Sequence, residues 1–337
     1  MSKPARTSPS FAALVHAYFA EYLTQQRALS PQTIAAYRDA LVLFLEFAQS
    51  QLGKAPVAMT LLEITPDLIT AFLNHLEQQR HNCVRSRNAR LAALRSFLKF
   101  AGRRDVSSLE VVERALGIPV KRFERPMFSY LSPDEMLAVI DAPPATWIGQ
   151  RDHILFQMLY NTGARVSEIT QIKVGDVVLE DHAACVHLHG KGRKQRSVPL
   201  WRSTVKAIRA WIKHNPHLDA GSPLLPNRNG STMTRTNVSL RLAAAVEAAT
   251  KVYPALENRP ISPHTIRHTT AMHLLQAGVD ISVIALWLGH ESPVTTHQYV
   301  EADLAMKERA LAKLHEPDNV FQRYRAPDTL LDFLKTL

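Results

Sequence analysis

Apolar residues in the first hundred positions recur with the spacing of amphipathic helices. From Phe11 to Arg27 they stand three or four residues apart, which places them on one helical face. Ser30-Pro31 and Thr65-Pro66 each combine an N-cap side chain with a proline suited to the first turn, so they predict the starts of two more helices. A fourth helix is predicted over Cys83–Ala101. Together these segments predict a four-helix front domain.

Helical periodicity is lost after this domain and then returns. Residues 105–130 contain prolines and basic residues, and they predict an interdomain linker with room for a short helix near Leu109–Leu116. Ser132-Pro133-Asp134-Glu135 is a capping box and predicts the start of a second domain. Helices are then predicted over 151–160, from about 166, and over 203–214, 236–250, 263–276, 281–288 and 302–315.

One segment of the rear half alternates with a period of two instead. Val186, Leu188, Val198 and Leu200 alternate with other residues on either side of a glycine-rich turn at 189–194, which predicts a small antiparallel sheet. The chain is therefore predicted to be mainly α, with a helical first domain and a mixed α/β second domain. The predicted boundaries are a flexible N-terminus at 1–10, the helical first domain at 11–104, a linker at 105–130, the mixed second domain at 131–315 and a tail at 316–337.

The charge balance favours a polyanionic partner. The formal net charge is +10. Residues 1–130 carry 17 Lys and Arg against 10 Asp and Glu, whereas residues 131–337 carry 23 against 20. Such an excess favours binding to polyanions through counterion release, so nucleic acid is the first candidate and an anionic membrane the second. The front domain is expected to contact the polyanion broadly.

The fourth predicted helix concentrates this charge. Residues 80–104 include eight basic residues and no acidic one. Charge runs are usually solvated helix faces, but solvated faces normally mix both signs, so phosphate contact is the favoured interpretation. The candidate DNA-binding residues on this helix and in the predicted hairpin are Arg87, Arg90, Arg95, Lys99, Arg103, Arg193, Lys194 and Arg196.

Cysteine content and hydropathy narrow the expected location. Cys83 and Cys185 fall in different predicted domains, which argues against a disulfide framework and fits a reducing compartment. No apolar run approaches the length of a membrane span, and the N-terminus lacks the apolar segment of a signal peptide. We therefore expect a cytoplasmic protein without a membrane partner.

A short stretch near the end of the second domain carries the most distinctive chemistry. His264 and Arg267 are three residues apart and share a helix face, and His290 precedes Tyr299 by nine residues. Cations and imidazoles gathered around one phenol suggest chemistry on a phosphate, with the phenol as nucleophile.

Five local motifs occur together in one order. They are Thr-Gly-Ala-Arg-Val-Ser-Glu-Ile at 162–169, Gly-Lys-Gly at 190–192, His-Thr-Ile-Arg-His at 264–268, Leu-Gly-His at 288–290 and the tyrosine at 299. In these motifs the chain resembles the tyrosine recombinases, also called the phage integrase family. The catalytic resemblance covers most of 131–300, and the basic front domain is similar to that family's SAM-like core-binding domain.

The resemblance implies DNA strand exchange without a metal ion or other cofactor. Tyr299 would attack the scissile phosphate and leave a 3′-phosphotyrosyl bond and a free 5′-hydroxyl. Arg165 and Arg267 would hold the equatorial oxygens of the transition state, where negative charge accumulates, and His290 would add a hydrogen bond.

Proton transfer is assigned by the same resemblance. The pKa of a free phenol is near 10, so Tyr299 must lose its proton as it attacks, and His264 is the matching acid/base residue. Lys191, at the tip of the hairpin, would protonate the departing 5′-oxygen. Glu168 would support the arginine or a histidine of the site.

Each of these residues also has a plain structural interpretation. Arg165 could cap a helix or pair with Glu168, and Lys191 could simply be solvated in a turn. His264 and His268 have the spacing of half a zinc site, but the intervening glutamate and a third ligand are missing, so no metal site is predicted. His268 and His273 are interpreted as structural or phosphate-adjacent rather than catalytic.

The predicted function is site-specific recombination through a Holliday junction. The partner would be double-stranded DNA with inverted-repeat sites, bound by a tetramer on two sites or by a hetero-assembly with related recombinases, in the nucleoid of a prokaryotic cell. Integration, excision or transposition of a mobile element is preferred. The alternatives are Xer-like resolution of DNA dimers, type IB topoisomerase-like relaxation, an inactive architectural DNA-binding protein and, more remotely, a zinc hydrolase. The apolar tail either folds back or docks on a neighbouring protomer.

Overall fold

The structure, a computed structural model, describes residues 9–124, 129–180, 183–190 and 195–290, together with Thr296 and Tyr299. It divides into two compact units, Met1–Pro126 and Met127–Leu337. The predicted helix at 302–315 and the predicted tail at 316–337 lie outside the described residues, as do Lys191, Arg193 and Lys194.

The first unit is helical, as predicted. Its helices are α1 (Phe11–Ala17), which continues directly into a π-helical segment (Tyr18–Gln26), α2 (Pro31–Leu52), α3 (Pro66–Gln78), α4 (Val84–Gly102) and α5 (Leu109–Leu116). Ser30 and Thr65 cap α2 and α3, because each side chain accepts a hydrogen bond from the backbone three residues ahead and a proline follows at the first helical position. The cap signals in the sequence therefore mark these two helix starts correctly.

The first predicted helix differs from expectation in its second half. Tyr18–Gln26 is a π-helix rather than a continued α-helix. The wider turn suits the sequence here, because Tyr18 and Leu23 are five residues apart and both are fully buried. Tyr18 also reaches across the unit, and its hydroxyl donates a hydrogen bond to Ser96.

The segment predicted as a linker contains ordered structure at its start. Helix α5 buries Val112 and Ala115 in the core of the first unit, and Ile118 joins the same core. Gly102, the last residue of α4, lies against Val112, and a side chain there would come within 2.9 Å of a Val112 methyl carbon. The apolar spacing of α5 thus packs the beginning of the predicted linker onto the front helices.

The second unit surrounds its own core and contains the small sheet. Its helices are α6 (Pro133–Asp141), α7 (Trp147–Thr162), α8 (Val166–Ile169), α9 (Arg202–His214), α10 (Arg235–Ala249), α11 (Pro263–Gln276) and α12 (Ile281–Leu288). Ser132 and Glu135 form the predicted capping box at the start of α6. Helices α7 and α11 pack on each other, which brings two sequence motifs a hundred residues apart into one region.

The sheet is antiparallel and has the order β1-β2-β3, with β1 at Val177–Val178, β2 at Cys185–His189 and β3 at Gln195–Pro199. Val186 pairs with Val198, and both are buried, as the period-two alternation predicts. The predicted class, mainly α with a small antiparallel sheet in the second unit, is confirmed. No helix in the described part of the chain is long and apolar enough to cross a membrane.

Candidate active site

Tyr299 is a buried phenol at the edge of a small apolar cluster in the second unit. Its side chain is 1% exposed, and its cluster includes Met272 and Leu288. The hydroxyl lies 3.0 Å from Nδ1 of His268, and the His290 ring stacks nearly parallel to the phenol ring at a centroid distance of 6.2 Å. Two imidazoles therefore flank the phenol that the sequence predicts to be a nucleophile.

Arg267 projects from α11 into the interior. Its side chain donates hydrogen bonds from Nη1 to the Gly163 carbonyl at 2.6 Å and from Nη2 to the Leu288 carbonyl at 2.8 Å. Burial lowers the pKa of Arg267 to about 10, and the nearby Arg165 charge acts in the same direction. The guanidinium still carries its charge at neutral pH, and its orientation is set by two backbone carbonyls.

Arg165 stands between the end of α7 and the start of α8. Its backbone N–H donates to Oε2 of Glu168 at 2.9 Å, and Nη1 donates to Oε1 of the same carboxylate at 2.8 Å. Nη2 donates to the Gly289 carbonyl at 3.2 Å. The carboxylate therefore caps α8 and orients the guanidinium at once, which confirms the contact that the alternative structural interpretation of Arg165 anticipated.

Gly163 makes this turn possible. It ends α7 with φ +58, a conformation that side-chain-bearing residues rarely adopt. A Cβ atom at this position would lie 2.4 Å from a methyl carbon of Leu288 and 3.4 Å from Thr270. Glycine thus allows the turn before Arg165 to approach both α11 and the end of α12.

The ionisation of Glu168 follows from its arginine neighbours. The residue is 3% exposed. Burial by itself would raise the pKa of Glu168, but hydrogen bonds from Arg196 and from the Arg165 backbone, with the Arg196 charge, hold it below the ordinary value. A negative charge is therefore maintained in the interior between two guanidinium groups.

The two imidazoles beside the phenol are neutral at pH 7. Burial lowers the pKa of His268 to about 4, and His264 and the Arg267 charge contribute. Burial, followed by the charges of Arg267 and Arg165, likewise lowers the pKa of His290 to about 4. Burial raises the pKa of Tyr299, against the opposing effect of the same two arginine charges. The phenol is protonated in the free protein, and the neutral imidazoles are available as acceptors.

We expect the free energy of unfolding to fall as the pH is lowered from 7 to 5. The folded pKa values of His268 and His290 lie near 4, below the ordinary 6.5, so between these values the unfolded chain binds more protons than the folded one. The expected loss is about 1–2 kcal/mol per histidine. Urea unfolding of the wild type and His290→Gln at pH 7, 6 and 5 measures it.

The variant should show a shallower dependence on pH than the wild type. His214→Gln, at an exposed position on α9, is the matched control and should keep the wild-type dependence. An unchanged dependence in His290→Gln would contradict the assignment of this acid sensitivity to the site.

The structure brings most of the predicted catalytic residues together. Arg165, Arg267, His290 and Tyr299 lie around the ends of α7 and α12, and His264 is exposed at the start of α11 with its ring 4.2 Å from that of His268. His290 is hydrogen-bonded through Nδ1 to Thr296 at 2.7 Å. These positions stay predictions as catalytic assignments, and their proximity supports them.

Sequence reasoning gave two residues a different role from the one that their contacts suggest. The sequence predicts a structural or phosphate-adjacent role for His268, yet its Nδ1 lies within hydrogen-bonding distance of the phenol. No local signal identifies this pair, because the two residues are 31 positions apart. The sequence predicts that Arg196 contacts DNA, yet its guanidinium pairs with Glu168 at 2.8 Å.

The candidate DNA-binding residues of α4, and Arg103 directly after it, differ in how exposed their side chains are. Lys99 and Arg103 are exposed. Arg87 is only 7% exposed, lies 3.7 Å from Glu77 and donates to Asn88. The first two are therefore open to a partner, whereas Arg87 is engaged within its own unit.

Two further arginines of α4 contact backbone carbonyls in the same unit. Arg95 donates to the Ile118 carbonyl, and Arg90 donates to the Ala36 carbonyl at 3.3 Å. Both are only partly exposed. Their contacts tie α4 to its neighbours, and any role in DNA binding remains a prediction.

In the described part of the chain, no group of three or more His, Cys, Asp or Glu residues is arranged to hold a metal ion. The His264 and His268 rings face each other at 4.2 Å in an edge-to-face arrangement.

Comparison with known families and proteins agrees with the motifs. The sequence model of the phage integrase family matches residues 129–306, and that of the phage integrase N-terminal SAM-like domain matches residues 17–105. A Sinorhizobium fredii protein, y4rC, an integrase/recombinase by name, is 42% identical over 329 residues, covering 97% of this chain and 98% of that protein. Tyrosine recombinase XerC of Pelobacter propionicus is 33% identical over 298 residues, covering 88% and 93%.

Solved structures share the fold at low sequence identity. XerH bound to a palindromic difH substrate, in a post-cleavage complex, matches with a TM-score of 0.68 and 19% identity, covering 85% of this chain and 81% of that chain. The Tn1549 transposon integrase in complex with a circular intermediate DNA matches with a TM-score of 0.68 and 17% identity, covering 89% and 99%. The two-unit architecture is thus similar in these proteins.

Proposed function

This chain belongs to the phage integrase family of tyrosine recombinases, and we propose that it cleaves and rejoins duplex DNA through a 3′-phosphotyrosyl bond on Tyr299. The observation that carries the proposal is the juxtaposition of this buried phenol with His268, His290 and the charges of Arg165 and Arg267. Such a set provides a nucleophile, proton acceptors and donors for a phosphate in one place.

The proposed cleavage step exchanges one phosphoester for another. The Tyr299 hydroxyl oxygen forms a bond to phosphorus as the bond to the 5′-oxygen breaks. Arg165 and Arg267 donate hydrogen bonds to the non-bridging oxygens, whose negative charge increases in the transition state, and His290 adds a further donor. Because the bond energy is retained in the ester, rejoining to a 5′-hydroxyl needs no external energy source.

Two protons must move during this step. The phenol proton passes to a neighbouring imidazole, and His268 has the geometry for it, since its Nδ1 lies 3.0 Å from the hydroxyl oxygen. His264, the residue expected from the family resemblance, stands next to His268 and can relay the proton to solvent. Lys191, the expected donor to the departing 5′-oxygen, lies outside the described residues.

The proposed biological role is recombination of a mobile element by integration, excision or transposition. The 42% identity to the integrase/recombinase y4rC supports this preference. The proposed partner is double-stranded DNA with inverted-repeat sites, and the reaction would proceed through a Holliday junction in a tetramer on two sites or in a hetero-assembly. The proposed location is the cytoplasm of a prokaryotic cell, at the nucleoid.

Xer-like resolution of DNA dimers is the second candidate. The 33% identity to XerC over nearly the whole of both chains favours it. The sequences attached to the protein in cells distinguish the two roles, because a mobile element yields its own ends and their insertion sites, whereas dimer resolution yields one fixed replicon site.

Capture of covalent adducts tests the proposed chemistry. Cells that carry the gene with its flanking DNA are lysed under denaturing conditions, DNA-linked protein is isolated, and both the attached DNA and the modified peptide are identified. We expect a phosphotyrosyl adduct on Tyr299. An adduct on another tyrosine, or none even with a nicked substrate that traps the intermediate, would contradict the proposal.

We expect Lys99→Ala and Arg103→Ala to weaken DNA binding through loss of phosphate contacts. Both side chains are exposed on the basic α4 region. Removal of one phosphate contact lowers the slope of log affinity against log salt by about 0.9. Titration of the recovered duplex between about 50 and 200 mM salt measures that slope, in the range where phosphate contacts strongly affect affinity.

Arg114→Ala is the matched control for these two variants. Arg114 is an exposed arginine of the same unit, on α5, and it pairs loosely with Glu110. It should keep the wild-type slope. Equal slopes for all four proteins would rule out phosphate contact at Lys99 and Arg103.

A further inference from the structure

Arg196 lies on the inward face of β3. In the antiparallel register it pairs with Leu188, which is fully buried, and it precedes the buried Val198 by two residues. Paired residues of adjacent strands point to the same side of a sheet, as do residues two apart on one strand. The Arg196 side chain is accordingly only 13% exposed, so its guanidinium is directed into the second unit.

The guanidinium is held from two directions. Nη2 donates to Oε2 of Glu168 at 2.8 Å, and Nε donates to the Trp287 carbonyl at 2.9 Å. Glu168 uses its other oxygen, Oε1, to accept from Nη1 of Arg165. One carboxylate therefore bridges the arginine of β3 and the arginine proposed to hold the phosphate.

The end of α12 binds three arginine side chains through its backbone carbonyls. The consecutive carbonyls of residues 287, 288 and 289 accept hydrogen bonds from Arg196, Arg267 and Arg165 respectively. Carbonyls at a helix C-terminus lack intrahelical partners and carry partial negative charge, so they are suited to guanidinium groups. The same helix end thus sets the positions of both proposed phosphate-binding arginines and of Arg196.

Gly289 shows how closely Arg196 approaches this backbone. It has φ +65, and a Cβ atom there would lie 2.9 Å from Nη1 of Arg196 and 3.2 Å from its Cδ and Cζ atoms. The turn that presents His290 is therefore packed directly on the Arg196 side chain. Movement of Arg196 would release the end of α12 as well as Glu168.

We propose that Arg196 is a positioning residue for DNA cleavage, which orients Arg165 through Glu168 and His290 through the end of α12, and that it makes no phosphate contact of its own. The proposal rests on the proposed recombinase function. It assigns Arg196 a role different from that of the exposed cations of α4, which are expected to bind the DNA backbone.

The first test separates binding from cleavage. Arg196→Lys and Arg196→Gln are compared with the wild type on the duplex recovered from the covalent adducts, with binding measured in a Tyr299→Phe background. We expect single-turnover cleavage to fall about tenfold in Arg196→Lys, because one ammonium cannot reproduce the fixed donor fork, and further in Arg196→Gln. The dissociation constant and its salt slope should stay at the wild-type values.

Two results of this test would overturn the proposal. One is cleavage at the wild-type rate in Arg196→Gln. The other is a salt slope lowered by about 0.9 together with weaker binding, which is the signature of a lost phosphate contact and is expected for Arg103→Ala. A wild-type protein that forms no adduct would instead refute the proposed function, so the two failures are distinguishable.

The second test uses the wild-type protein and is unaffected if a variant fails to fold. Arginine side chains are modified with phenylglyoxal, with and without the same duplex, and the modified peptides are quantified by mass spectrometry. Arg196 should react at least about tenfold more slowly than Arg103 in the free protein, because its side chain is only 13% exposed and its Nε and Nη2 are hydrogen-bonded. Rapid modification of Arg196 in the free protein, with protection by DNA, would overturn the positioning role.

Discussion

Tyr299→Phe is expected to lower DNA cleavage by at least about a thousandfold, because the substitution removes the hydroxyl oxygen that attacks phosphorus in the proposed step. The change removes one hydroxyl, whose 3.0 Å contact is with His268. The free energy of unfolding should therefore fall by about 1–3 kcal/mol, the usual cost of removing one partner of a buried hydrogen bond. Single-turnover cleavage of the recovered duplex, urea unfolding and DNA titration measure the three quantities separately.

Tyr253→Phe is the matched control for this variant. Tyr253 is a partly buried tyrosine of the same unit that packs against the main core. Its loss of a hydroxyl should leave cleavage unchanged. If Tyr299→Phe formed covalent adducts at the wild-type rate, another group would have to attack the phosphate.

Arg267→Lys is expected to lower cleavage by about a hundredfold to a thousandfold while the protein stays folded. The guanidinium uses two of its nitrogens on the carbonyls of Gly163 and Leu288, and it lies close enough to Tyr299 for the phenol to influence its pKa. An ammonium keeps the charge but cannot hold two backbone carbonyls and a phosphate oxygen in one plane. Loss of one oriented donor to the transition state typically costs about 3–4 kcal/mol.

Arg259→Lys provides the comparison for Arg267→Lys. Arg259 also holds two partners in the second unit, the Glu135 carboxylate at 2.7 Å and the Tyr130 carbonyl at 2.8 Å. The two variants lose similar hydrogen bonds, so a comparable loss of stability is expected from both. Only Arg267→Lys should lose cleavage, and equal cleavage by the two variants would argue against a direct role for Arg267.

The arrangement of the three arginines explains why the effect of Arg267→Lys is expected to be large. Like charges disfavour one another, and the Arg165 charge contributes to the lowered pKa of Arg267. The carboxylate of Glu168 and the carbonyls at the end of α12 offset this repulsion in the free protein. In the proposed function a bound phosphate would add a further negative charge, and the hydrogen bonds that already hold the arginines would preorganise their donors for it.

Much of the fold could be predicted because its signals are local. Each of these signals lies within a few residues. They are the Ser-Pro and Thr-Pro helix starts, the capping box at Ser132 and the alternation that places Val186 and Leu188 on the same buried face. The π-helical segment at Tyr18–Gln26 was not predicted, because its wider turn follows from the burial of Tyr18 and Leu23 against other helices. A single pair of apolar residues five positions apart is not enough to identify a π-helix from the sequence alone.

The position of Arg196 in β3 is a local signal for its direction. It shares the period-two face of Val198, so the alternation that predicted the strand also predicts an inward side chain. The basic residues around it in the hairpin favour a different prediction, a side chain that is exposed to solvent and contacts DNA. Geometry within a strand is the stronger indicator, because neighbouring charges do not change which side of the sheet a residue faces.

The sequence by itself determined the helical class, the two units and the family, because caps, periodicity and motif order are properties of nearby residues. From the same motifs it predicts the phenol and its cationic set. Only the tertiary structure decided which side chains meet. The contacts of Tyr299 with His268, and of the α12 carbonyls with Arg165, Arg196 and Arg267, join segments that are far apart in the chain. Such pairings depend on how helices and strands pack, and no local pattern encodes them.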